Sequence, residues 1–197
     1  MHSNYPLFFV ILSLFVLIFI TKKEGLDTNI DEEINVPIKT NDLIAKIQIN
    51  FQGVKGQKLP SGPDAWINLG DITLRDRNGN QINYGNTNSV YFGNKGNWEG
   101  LPVQNLWDND KVSMGHASRE YEVLIIDLLR VQRHLYRWDN MFQLGSVQIT
   151  NRSDCCEWRI GNYELALYNV KNEKTSIMLD KLAFKGKTVR YNMVYPK

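Results

Sequence analysis

The sequence predicts an all-β sandwich preceded by an N-terminal hydrophobic helix. Short apolar runs alternate with polar residues at a period of two, the breaks between them fall on Gly and Asn, and one uncharged stretch stands apart near Met1. Successive side chains of a strand point to opposite faces, so alternation of this kind marks strands with one face in a core and one in water. Many such runs at short intervals, separated by turn residues, are the pattern of a sandwich.

The first element is the run Leu7 to Ile20, uncharged until Lys22-Lys23. As a helix it would reach about 21 Å, short of a hydrocarbon core of about 30 Å. That length suits the apolar part of a signal peptide, yet no basic segment precedes it and no small-x-small cleavage site follows. We read residues 1–21 as an uncleaved anchor, lengthened at the interface by Tyr5, Pro6 and Thr21. Residues 22–42 read as a polar stalk, and residues 43–197 as one domain with enough chain to bury a full core. Lys22-Lys23 would keep that domain cytoplasmic by the positive-inside rule, whereas a disulfide would need an extracellular, lumenal or virion face. Orientation is left open between them.

Within the domain, the expected strands are Ile44 to Ile49, Ile67 to Leu74, Gln81 to Tyr84, Val90 to Phe92, Val123 to Leu128, Val147 to Thr150, Tyr163 to Tyr168, Ser176 to Leu179 and Thr188 to Val194. Arg77-Asn78-Gly79-Asn80 supplies residues that accept positive φ, as a hairpin turn requires. Leu128 to Leu135 hints at a helical turn, and Gly85 to Gly100 reads as a long loop near the binding end.

Both cysteines of the chain fall on adjacent positions in Asn151-Arg152-Ser153-Asp154-Cys155-Cys156-Glu157-Trp158-Arg159, a loop between two expected strands. Neighbouring α-carbons lie about 3.8 Å apart, below the usual range for a bridged pair, so a bridge here would strain the intervening peptide. The alternative is two reduced thiols at a strand end, one facing in and one out. Two adjacent cysteines lack the partners of a zinc site. Two guanidiniums beside one carboxylate make a fixed fork of donors, suited to the vicinal oxygens of a sugar or to an anion.

Around this loop the chain resembles the fucolectin-like branch of the F5/8 type C (discoidin-like, galactose-binding-like) domains. The family pattern is a histidine, then Arg-x-Asp, then four residues and Arg or Lys; His116, Arg152, Asp154 and Arg159 match it. The resemblance implies a jelly-roll sandwich that binds carbohydrate through His116, Arg152 and Arg159, with Asp154 bracing the arginines and a linked Cys155-Cys156 pair packing against the sugar. The gap from His116 to Arg152 is longer than the family's, through an insertion at Arg133 to Asn140. The family also holds a structural Ca²⁺ in an Asn-x-x-Asp-x-Asn turn with a serine three residues before the histidine, which Asn105, Asp108, Asp110 and Ser113 match. Its closing-strand glutamate has no counterpart, and Asp71, in Trp66 to Leu74, stands in for it. Hard oxygen ligands in a turn suit Ca²⁺, although Asp108-Asn109-Asp110 alone reads as an Asx turn.

Lys and Arg number 23 against 21 Asp and Glu, and the cations are scattered, which gives no pull toward nucleic acid. The chain has no Ser-His-Asp order, no histidine pair for a metal and no phosphate-cradling loop, so it is not read as an enzyme. Trp66, Trp98, Trp107, Trp138 and Trp158 are candidates for stacking on sugar, of which Trp158 is best placed, although core filling is the commoner use. Asp127 at a strand end reads as structural, and the sequon Asn151-Arg152-Ser153 as unused. The expected function is a membrane-anchored lectin-like module for a terminal sugar such as fucose or galactose, its partner a glycan or glycoprotein. The alternative is a membrane-associated scaffold, for example in a virion, meeting further copies or capsid and envelope partners.

Overall fold

The computed structural model describes residues 34–40, 42–53, 65–85, 88–93, 96–108, 110, 113–135, 142–184 and 186–196. The expected anchor at 1–21, the stalk up to residue 33 and Trp138 lie outside the described residues. The expected β-sandwich is present. One sheet has the order β1 (Ile34–Lys39), β10 (Thr188–Val194), β7 (Leu144–Asn151), β3 (Asn68–Asp76) and β5 (Gly115–His116). The other runs β4 (Val90–Phe92), β6 (Leu124–Asp127), β2 (Ile44–Phe51), β8 (Tyr163–Asn169) and β9 (Lys174–Met178).

Alternation explains which faces meet. In β2, Ile47 and Ile49 are buried while Lys46 and Gln48 stay half-exposed. Ile72 and Leu74 of β3, Val147 and Ile149 of β7, Leu165 and Leu167 of β8, and Val189 and Tyr191 of β10 join them in one apolar cluster. Each such side chain contributes roughly 1.5 to 3 kcal/mol by leaving water. The outer strand β9 alternates exposed and half-buried residues and begins with Lys174, whose charge discourages edge pairing.

Three expectations change. Residues 34–39, read as part of the stalk, form β1, which pairs in parallel with β10 from Ile34 opposite Val189 to Lys39 opposite Val194. Val36 and Ile38 point into the core, and the exposed Pro37 sits where an edge strand can spare its missing N–H. Gln81 to Tyr84 is no strand: after a single bridge between Gln81 and Arg75 the chain turns inward, burying Ile82 and Tyr84 without a ladder. Their period-two pattern reflects burial alone. Ser176 to Leu179 shifts toward Lys174, with Leu179 buried beyond the strand end.

Other elements hold. The turn at residues 77–80 closes on Asp76, whose Oδ1 accepts from the backbone of Asn78 at 2.9 Å and Asn80 at 2.8 Å, with Gly79 at φ 86°. Leu128–Leu135 is an α-helix, α1, with Leu128, Val131 and Gln132 inward. Asp127 has the structural role expected of it, capping α1 by accepting from the Arg130 N–H at 2.9 Å. Because β1 supplies core side chains, Ile38→Ala is expected to cost about 2 to 5 kcal/mol in urea unfolding. A residue in a solvated stalk would change stability by less than about 0.5 kcal/mol.

Candidate functional site

Three strand ends of the first sheet meet in register. Asn68, the first residue of β3, pairs with His116 of β5, and Leu69 pairs with Asn151, the last residue of β7. The loop that follows β7 therefore starts beside both Asn68 and His116. A 3-10 turn, Glu157–Asn162, then brings Arg159 back to the same place.

Asn151 fixes that loop. Its side chain is fully buried, and Nδ2 donates to the carbonyls of Glu157 at 2.8 Å, Leu182 at 2.8 Å and Phe184 at 3.2 Å. Its Oδ1 accepts from the Arg152 N–H at 2.9 Å, and the Arg152 carbonyl accepts from Gly186 at 2.8 Å. One amide thus ties the site loop to the segment before β10. Nδ2 is the atom a glycan would occupy, so the sequon is incompatible with this fold.

Arg152 and Asp154 form a two-pronged ion pair, Nε to Oδ1 at 2.5 Å and Nη2 to Oδ2 at 2.5 Å, with the arginine side chain 8% exposed and the carboxylate 51%. The bond from Arg152 holds the Asp154 carboxyl well below the usual carboxylate range. Burial lowers the Arg152 pKa, but pairing with Asp154 outweighs it and leaves a net rise. The Asn68 amide, oriented as its neighbours require, turns its oxygen to both guanidiniums, accepting from Arg152 Nη1 at 2.5 Å and from Arg159 Nη1 at 3.2 Å. Asn68 thus brings the two arginines together.

His116 stands beside them. Its Nδ1 lies 2.6 Å from the Ala117 carbonyl, which can only accept, so Nδ1 carries the proton. Burial lowers the His116 pKa, and the Arg152 and Arg159 charges add to the effect against the Ala117 hydrogen bond. The neutral ring leaves Nε2 as an acceptor, not the donor expected from sequence. Trp66 and Trp98 flank it, each with its ring centroid 5.4 Å from that of His116 and edge to face with one another at 5.6 Å.

Cys155 and Cys156 are free cysteines with sulfurs 2.7 Å apart. Cys156 takes a left-handed φ of 60°, a conformation a side chain adopts only when its surroundings impose it. The neighbouring Cys155 sulfur, with burial, pushes the Cys156 thiol up, so it stays protonated at neutral pH.

Of the expected calcium ligands, four come together. Ser113 Oγ lies 2.6 Å from Asp108 Oδ2, 3.0 Å from the Asp110 carbonyl and 3.4 Å from the Asn105 carbonyl. Three acceptors around a hydroxyl that carries one proton are a donor set suited to a hard cation. Asp71 lies within β3, where its carboxylate accepts from Thr73 at 3.1 Å and raises the buried Tyr84 hydroxyl further beyond what desolvation does. Among the described residues no three of His, Cys, Asp and Glu are grouped to hold a metal ion, so Asp71 does not complete a carboxylate set with Asp108 and Asp110.

The sequence singled out His116, Arg152, Asp154 and Arg159 but missed Asn68, whose only signal is a polar residue opening an alternating strand. Trp107 packs against the core beside Tyr84, while Trp158 is 38% exposed next to Arg159. No family model, curated protein or solved structure matches this chain. Since removing the Asn151 amide takes a donor from the Glu157, Leu182 and Phe184 carbonyls, of which Leu182 and Phe184 keep a backbone N–H partner, Asn151→Ala is expected to destabilise the domain by about 1 to 3 kcal/mol in urea unfolding. An unchanged midpoint would show that the loop is held otherwise.

Proposed function

We propose that the protein is a lectin-like carbohydrate-binding module of the jelly-roll type, holding a terminal sugar such as fucose or galactose at Arg159, Asn68, His116 and Arg152. The observation that carries this reading is a pair of guanidiniums tied by Asn68 and close enough to a neutral imidazole to act on its pKa, with the imidazole Nε2 left as an acceptor. A hydroxyl both donates and accepts, so it satisfies Arg159 and His116 Nε2 together. A carboxylate or phosphate only accepts, and would meet the imidazole lone pair. The Trp66 indole beside His116 suits the C–H face of a pyranose, and the Cys155-Cys156 sulfurs offer a second apolar surface next to Asp154.

Arg152 is committed to Asp154 and Asn68, so its part is chiefly to position. Arg159, whose Nη1 also meets the Asn68 oxygen, is the guanidinium assigned to the ligand. The Cys155-Cys156 pair would close to a bridge in an oxidising compartment, stiffening the loop that carries Asp154. Asn105, Asp108, Asp110 and Ser113 would hold Ca²⁺, whose charge would fix the loop leading to His116. Leu7 to Ile20 would anchor the domain to a membrane, where clustering raises the avidity of weak single sites.

On a glycan array, Arg159→Gln is expected to lose binding while its melting curve stays close to that of the parent; an undiminished array signal would count against the reading. Affinity for L-fucose or D-galactose should also depend on pH. The His116 pKa lies below its ordinary value near 6.5. Binding that needs the bare Nε2 is therefore full at neutral pH and falls as pH drops through that lowered pKa. Titration calorimetry between about pH 4 and pH 8, with the fold followed by circular dichroism, checks the direction. Affinity that rises on acidification would contradict it.

A further inference from the structure

Trp98 is the most exposed tryptophan among the described residues, at 49%, although it is the ring next to His116. Its position is not loose. The Trp98 N–H donates to the His116 carbonyl at 2.8 Å, the Trp98 carbonyl accepts from Leu101 at 3.0 Å, and the His116 N–H donates to Leu101 at 3.1 Å. Before it, Ser118 donates to the Gly96 carbonyl at 2.9 Å, and Asn97 bridges to Ala117 while its Oδ1 accepts from Val103 at 2.9 Å. Trp66 braces one edge of the indole. Trp158 is also exposed, but it has no ring partner among the described residues.

A half-exposed indole that is pinned at its backbone and braced at its edge has already lost the freedom that ligand binding would otherwise remove. An aromatic face of this size matches one pyranose ring. It adjoins the spot served by Arg159, Asn68 and His116 without being that spot.

We propose that Trp98 forms a second sugar subsite, so that the ligand is an oligosaccharide with its terminal residue at Arg159 and His116 and its next ring stacked on the Trp98 indole. This rests on the terminal-sugar reading above and adds the class of glycan: a chain of two or more rings, not a free monosaccharide. The stacked ring adds apolar contact and no charge, so it raises affinity without changing which terminal sugar is accepted.

Titration calorimetry of the full chain with L-fucose, D-galactose, lactose and fucosylated lactose tests it. The matching oligosaccharide is expected to bind about fivefold more tightly than its terminal monosaccharide. In Trp98→Ala that advantage falls to near one while monosaccharide affinity stays within about twofold, and Trp98→Phe restores most of it. An advantage that survives in Trp98→Ala, or its absence in the parent while monosaccharides bind, overturns the subsite and leaves the terminal-sugar reading standing. Failure of all four sugars to bind the parent overturns that reading first, and the subsite with it. Should Trp98→Ala not fold, the parent alone decides: the Trp98 indole N–H resonance is expected to shift with the oligosaccharide more than with the monosaccharide. Equal shifts overturn the proposal.

Discussion

Two guanidinium groups can share one end of a sandwich only if something absorbs their mutual repulsion and holds both in place. Here Asp154 takes Arg152 in a two-pronged pair at 2.5 Å, and the Asn68 oxygen sits between Arg152 and Arg159. Removing the carboxylate would leave a buried cation beside a second one, a far larger penalty than breaking an exposed ion pair. The rest of the site follows from this pairing. It offsets the Arg152 charge, holds Arg159 beside it through Asn68, and keeps both guanidiniums near enough to His116 to lower its pKa in concert with burial.

That electrostatic arrangement stands on a backbone device. Asn151 is fully buried and donates to three carbonyls from two separate segments, so the loop carrying Arg152 and Asp154 cannot shift without exposing unpaired groups. The register of β3 with β5 and β7 sets where Asn68, His116 and Asn151 end up, and the apolar alternation of those strands sets the register. A chain of causes therefore runs from Leu69, Ile72, Val147 and Ile149 in the core to the position of two guanidiniums at its edge. The left-handed Cys156 lies in the same loop, where local strain coincides with the candidate site.

The legible parts of the sequence were those with a period. Ile47, Ile49, Leu165 and Leu167 declared their strands by alternation, whereas Leu128 to Leu135 gave only the hint of a helical turn where the structure has an eight-residue helix. β1 carried the same signal in Ile34, Val36 and Ile38, but Pro37 and the acidic residues before it read as linker. Only the parallel partner β10 makes a proline tolerable there. Ile82 and Tyr84 alternated without being a strand, because burial of every second side chain does not require a ladder. In the site, the spacing of Arg152, Asp154 and Arg159 was readable along the chain. Asn68 and the indole of Trp98 were not, since pairing across β3, β5 and the loop before it brings them to the arginines from about 50 to 90 residues away. The direction of the His116 hydrogen bonds was equally hidden, being decided by one carbonyl, that of Ala117.

In the proposed site the end of the first sheet presents guanidinium donors and an imidazole acceptor to a hydroxyl ligand. Long-range proton–nitrogen NMR of the His116 ring tests it most directly. A neutral ring at pH 7 with the proton on Nδ1 is expected, with a shift of the Nε2 resonance on titration with L-fucose or D-galactose. A proton on Nε2, or ring nitrogens untouched by either sugar, would contradict it.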